Sequence, residues 1–86
     1  MSAGAQAMPL AFAKSGERLS IEWVSGPVEL RRHLQELGFV PGAQVYVASS
    51  TPASIIVDIK GARLGLDVKV LSHVFACLDD GGSAQE

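Results

Sequence analysis

A single helical pattern, bounded by a proline and a glycine, most constrains how this chain can fold. Leu30, Leu34 and Leu37 recur at i, i+4 and i+7, which places them on one face of a helix. Pro27 suits the first helical position, and Gly38 suits the left-handed residue that commonly ends a helix. The sequence therefore predicts one short helix, from about Pro27 to Leu37. A helix of that length is marginal in water, so its leucine face must pack on other elements.

The remaining patterns alternate with period two, as half-buried strands do. Leu19, Ile21 and Trp23 share one side of the first strand, and Lys60-Gly61 marks a tight hairpin. Many short strands with one helix predict a mainly β fold, a small antiparallel barrel of about five strands. The further strand patterns cover residues 44–49, 54–60, 62–66 and 73–78, and residues 67–72 fit one short turn of helix.

The length and composition predict one small domain. The chain has 86 residues, a net charge of −2, 48% hydrophobic residues and 19% charged ones. This balance excludes a wholly disordered chain and argues against nucleic acid as the main partner. We expect disordered ends at residues 1–8 and 79–86, and a folded domain over residues 9–78. One cysteine and no signal or membrane-spanning pattern predict a cytoplasmic protein without direct membrane insertion.

The inventory of reactive side chains predicts a protein that is not an enzyme and has no built-in cofactor. Glu29 and His33 lie one turn apart and are weak candidates for binding a divalent metal, but they supply only two ligands. A surface ion pair between them is the alternative. His73 and Cys77 lie too far apart on a strand to share one ion. We interpret Cys77 as a structural residue, because no base or electropositive group marks it as a nucleophile.

A small basic patch on the helix is the first candidate for binding a partner. Arg31 and Arg32 lie off the leucine face. They could contact an acidic or phosphate-bearing partner, or Arg32 could pair with Glu36 on a solvated face. For Trp23 and Phe39 we expect a core position, with a place in an interface as the alternative.

The string VELRRHLQELGFVPG, from Val28 to Gly42, resembles the FeoA family. The hallmark of that family is a leucine- and arginine-rich helix that runs into a leucine-glycine-leucine-x-proline-glycine turn. The resemblance extends over about residues 10–76, although Phe39 stands where leucine is usual and Asp67 where a basic residue is common. The positions that carry the helix and turn are Leu30, Leu34, Leu37, Gly38, Pro41 and Gly42.

The resemblance implies a barrel of the SH3-like type and a cytosolic accessory protein of bacterial ferrous iron uptake. Its implied partner is the cytoplasmic GTP-binding domain of the FeoB transporter, which would hold it at the inner membrane. Contact would involve the exposed side of the helix, with Arg31, Arg32, Gln35 and Phe39 as candidates. The alternatives are a sensor that binds Fe(II) directly and, less favoured, a nucleic-acid-binding barrel. The sequence does not determine whether the protein forms a homo-oligomer.

Overall fold

The computed structural model describes residues 6–79, which form one antiparallel sheet with a helix inserted between two of its strands. The six strands run in the spatial order β1-β6-β2-β3-β4-β5, and every neighbouring pair is antiparallel. The elements are β1 (Met8–Pro9), a 3-10 turn (Leu10–Phe12), β2 (Arg18–Val24), α1 (Val28–Leu37), β3 (Gln44–Ser50), β4 (Ser54–Ile59), β5 (Ala62–Asp67), α2 (Val68–Leu71) and β6 (Val74–Leu78).

The predicted helix is confirmed with a shift of one residue at its start. α1 begins at Val28, and Pro27 precedes it in an extended conformation. Gly38 ends the helix with φ +114°, a conformation that glycine adopts without steric cost. Its N–H donates to the carbonyls of the last turn, and the N–H of Phe39 donates to the carbonyl of Leu34 at 3.0 Å. Of the three leucines of the predicted apolar face, Leu34 is fully buried and the other two are half-buried.

The hairpin between β4 and β5 is also confirmed. Lys60 and Gly61 both have positive φ, +52° and +80°, and Ile59 pairs with Ala62 across the turn. Two central residues with positive φ are typical of the type I′ turn, whose twist matches that of the flanking strands.

The core lies on one face of the sheet, and alternate residues of the strands supply it. α2 contacts both the end of β5 and the 3-10 turn that follows β1. Within residues 6–79 no helix is long and apolar enough to cross a membrane. The buried apolar residues are Leu10, Ala13, Leu19, Ile21, Leu34, Phe39, Val45, Val47, Ile55, Val57, Ile59, Leu71, Val74 and Ala76.

The folded region begins and ends slightly outside the predicted limits. Met8 pairs with Ala76 in a strand that the sequence did not predict, so the count is six strands rather than five and Met8 is not disordered. Two residues are too few to show an alternating pattern. At the other end the N–H of Asp79 donates to the carbonyl of Arg18 at 2.8 Å, which makes Asp79 part of the fold. Residues 1–5 and 80–86 of the two predicted tails lie outside the described residues.

The prediction of a core position for Trp23 is wrong, because a β-bulge interrupts β2. Ile21 pairs with Ala76, and Trp23 pairs with Phe75, the very next residue of β6. Glu22 is therefore the extra residue on β2, and it shifts the alternation by one position. Trp23 consequently lies on the outer face of the sheet and is 47% exposed.

Candidate partner-binding surface

The first turn of α1 is anchored to the loop that precedes β6. The N–H of Ser25 donates to the carbonyl of His73 at 2.8 Å, and Arg31 Nε donates to the carbonyl of Gly26 at 3.1 Å. Gly26 has φ +103°, and a Cβ there would lie 2.9 Å from Nδ1 of His73. A glycine is needed at this position because the imidazole ring occupies the space that a side chain would fill.

The last turn of α1 is anchored to the hairpin between β4 and β5. A Cβ at Gly38 would lie 3.3 Å from Cδ of Lys60 and 3.5 Å from Cδ1 of Ile59. Phe39 follows directly and is fully buried in the core. The helix is thus fixed at both ends, and its exposed side forms a surface of defined shape.

We call the exposed polar residues of α1 the helix face. Arg32 and Gln35, two predicted contact residues, are exposed there, whereas Arg31 is half-buried and its Nε is engaged with Gly26. No ion pair joins Arg32 to Glu36 within the described part of the chain, so the guanidinium of Arg32 faces solvent. The helix face consists of Glu29, Arg32, His33, Gln35 and Glu36.

Phe39 is a correction to the predicted set of contact residues. Its side chain has 0% exposure, so a partner cannot reach it while the fold is intact. The structure shows the core position that the sequence predicted for Phe39, for which an interface was the alternative. The N–H of Phe39 is bonded to the last turn of α1, and its side chain belongs to the buried core cluster.

The predicted metal candidates stand apart from other ligating side chains. Glu29 and His33 are exposed on α1 and make no ion pair with each other, while His73 packs against Gly26. Among residues 6–79 no three His, Cys, Asp or Glu side chains come together in a group that could hold a metal ion.

An aromatic pair on the outer face of β2 and β6, formed by exposed Trp23 and half-buried Phe75, was missed from the sequence. The rings of Trp23 and Phe75 stack with centroids 4.8 Å apart and an interplanar angle of 12°. Pro9 of β1 pairs with Phe75, so the three apolar residues lie in a row across neighbouring strands. Trp23 stands near the end of β2, close in sequence to the start of α1. No pattern in the sequence predicts the bulge at Glu22, which places the ring of Trp23 on the outer face of the sheet.

Cys77 lies beside this aromatic pair on β6. It is half-buried, and burial together with a hydrogen bond and charge repulsion from Glu22 raises the pKa of its thiol. A raised thiol pKa lowers the fraction of reactive thiolate at neutral pH. Burial is the largest cause of this shift, and the carboxylate of Glu22 at the bulge adds to it.

A polar row crosses the outer face further along the sheet. Arg18 lies over the ring of Tyr46, with its guanidinium carbon 5.9 Å from the ring centroid. Tyr46 pairs with Asp58, and Asp58 pairs with Arg63 on the next strand. Two contacts of 2.7 Å and 3.0 Å join Asp58 to Arg63, and this guanidinium holds the pKa of the carboxyl below its usual value.

These features define a small, mainly β domain of the SH3-like class, with one ten-residue helix and with polar and aromatic surfaces on its outside. Residues 8–76 match the FeoA domain model, and the chain therefore belongs to the FeoA domain family.

Solved structures agree with this assignment. A crystal structure of an iron uptake regulatory protein, FeoA, superposes with a TM-score of 0.80 at 24% identity, over 85% of this chain and 99% of that one. FeoA from Chlorobium tepidum gives 0.76 at 27% identity, over 84% and 70%. The zinc complex of Stenotrophomonas maltophilia FeoA, a prokaryotic SH3 domain protein, gives 0.71 at 24% identity, over 86% and 92%. No curated protein matches the sequence significantly.

Proposed function

We propose that this protein regulates ferrous iron uptake by binding the cytoplasmic GTP-binding domain of a FeoB-like transporter. Membership of the FeoA family supports a role as an accessory protein of ferrous iron transport. The observation that carries the proposal further is the helix face, a polar surface whose two ends are fixed to the barrel. Binding through a surface that is already ordered loses little conformational entropy.

Arg32 and Gln35 are the proposed contacts at the centre of the helix face. Arg32 carries a guanidinium that no acidic side chain of the described residues neutralises, so it suits a carboxylate or phosphate on the partner. Arg31 contributes through the part of its guanidinium that is not bonded to Gly26. The aromatic pair supplies apolar area, since tryptophan is over-represented among the residues that dominate binding energy.

The role is that of a binding module rather than an enzyme. We propose a cytoplasmic location, peripheral to the inner membrane through the transporter alone. Nucleic acid is not the proposed partner, because the chain has a net charge of −2 and its basic side chains are not gathered into a stripe along one element.

Interferometry against the isolated GTP-binding domain tests the proposal, with GTP analogue, GDP and no nucleotide compared. Arg32→Ala and Gln35→Ala should each weaken binding by about five- to thirtyfold, as contacts worth about 1–2 kcal/mol do. Lys69→Ala is the matched control, because Lys69 is an exposed cation on α2, outside the helix face. Absence of binding in every nucleotide state would refute the proposed partner. A loss of binding in Lys69→Ala equal to that of the helix-face variants would refute the proposed surface.

A further inference from the structure

The strand β5 is the last in the sheet order, so within residues 6–79 one of its two sides has no strand beside it. In a type I′ hairpin the residues that flank the turn, Ile59 and Ala62, form a hydrogen-bonded pair. The pairing of β4 with β5 continues without a register shift. Hydrogen-bonded and non-bonded pairs must therefore alternate, and the backbone N–H and C=O groups of Arg63, Gly65 and Asp67 point away from β4.

The outward-pointing groups of Arg63 and Gly65 are open to a further strand, and so is the N–H of Asp67. The carbonyl of Asp67, the N-cap of α2, already accepts the first hydrogen bond of that helix. Arg63 and Gly65 are exposed and make no backbone hydrogen bond outside the sheet within residues 6–79. Gly65 has no side chain to shield the edge. A free edge of this kind is a ready template for pairing with another chain.

The order of charges on β5 is complementary to itself. If two copies pair antiparallel about a two-fold axis at Gly65, Arg63 of one copy lies opposite Asp67 of the other, and the same pair forms again on the opposite side of the axis. This register also brings the three residues with outward-pointing backbone groups opposite one another, as hydrogen-bonded pairs. On the other face it sets Leu64 opposite Leu66.

Both charged side chains keep free atoms for the contact. Arg63 uses Nε and Nη2 to bind Asp58 in its own chain, which leaves Nη1. Oδ1 of Asp67 accepts from the N–H of Lys69 at the start of α2, which leaves Oδ2.

We propose that β5 is a self-association edge, through which two copies of this chain join their sheets in the register centred on Gly65. The contact area of two short strands is small, so the dimer is weak and its population depends on concentration. This inference is independent of the transporter partner, because it uses neither the helix face nor the aromatic pair.

Nuclear magnetic resonance of the whole chain across micromolar to millimolar concentration tests the edge directly. The amides of Arg63, Gly65 and Asp67 should shift with concentration and become protected from hydrogen exchange, and sedimentation should report a dimer. Gly65→Pro should abolish these changes, because it removes an N–H that serves only the free side. Gly65→Ala is the matched control and should retain them, since its Cβ would meet only Cγ1 of Ile56 at 3.9 Å.

A second variant keeps the test decisive if the proline substitution unfolds the domain. Asp67→Asn preserves the cap of α2, since asparagine caps helices as well as aspartate does. It removes the charge facing Arg63 of the second copy at both symmetric positions, and it should weaken the dimer by about two- to thirtyfold, the effect of two exposed ion pairs. Edge amides that stay unchanged up to millimolar concentration, or a dimer that survives Gly65→Pro, would overturn the proposal.

Discussion

Replacing Phe39 by alanine distinguishes a structural role for this residue from a role in partner binding. Its ring has 0% exposure and is among the largest side chains of the core. Removing a buried phenylalanine costs about 3–5 kcal/mol, since the lost transfer free energy adds to that of the cavity. A domain of this size has a total stability of roughly 4–11 kcal/mol, at about 0.05–0.15 kcal/mol per residue. Phe39→Ala should therefore remove about a quarter or more of the free energy of unfolding.

Urea unfolding, followed by circular dichroism and by the fluorescence of Trp23, measures this loss. Phe12→Ala is the matched control, because the same atoms are removed from a ring that is 71% exposed, and it should change the unfolding free energy by less than about 1 kcal/mol. Phe39→Leu keeps most of the volume and should cost about 1–1.5 kcal/mol. The reasoning is refuted if Phe39→Ala unfolds at the same urea concentration as Phe12→Ala, or if it abolishes partner binding at wild-type stability.

Three further predictions concern backbone strain, thiol reactivity and pH. Gly38→Ala should destabilise the domain by about 1–2 kcal/mol or more in urea unfolding, because φ is +114° and Lys60 lies within 3.3 Å of the new Cβ. Glu22→Gln should lower the pKa of the Cys77 thiol and speed its alkylation by iodoacetamide at pH 8, while burial keeps that pKa above its usual value. Arg63→Gln should raise the pKa of Asp58 in a carboxyl titration by nuclear magnetic resonance.

Each of these predictions has a control within the chain. Gly42→Ala imposes a similar strain, with φ +89°, but meets no atom within 4 Å, so it should cost less than Gly38→Ala. An unchanged alkylation rate in Glu22→Gln would show that burial alone governs the thiol. Since the folded-state pKa of Asp58 is lowered, its ion pair stabilises the fold above the ordinary pKa, and this contribution is lost as pH falls through the lowered value. If the free energy of unfolding of the wild-type domain does not change with pH across that acid range, the stabilising role of the Asp58–Arg63 ion pair is contradicted.

Local signals predicted the elements that local geometry determines. α1 and its end at Gly38 followed from leucine spacing and one left-handed glycine, and the hairpin followed from Lys60-Gly61. β1 was missed because a strand of two residues carries no period, and only its pairing with β6 defines it. Among the predicted site residues Arg32 and Gln35 lie on the surface as expected, whereas Phe39 shows that a residue beside an exposed helix can point into the core.

The bulge at Glu22 accounts for what the sequence could not show at the candidate site. One extra residue in β2 reverses the alternation, so the same apolar run that buries Ile21 places Trp23 outside against Phe75. It also sets the Glu22 carboxylate against the Cys77 thiol, which suppresses reactivity next to the aromatic pair. The chain then passes through Gly26, where the His73 ring fixes the start of α1. A single register shift therefore places an apolar surface on the sheet, and a carboxylate beside the Cys77 thiol, just before the turn into α1. The aromatic pair and the helix face both belong to ordered elements, so little ordering is needed when a partner binds.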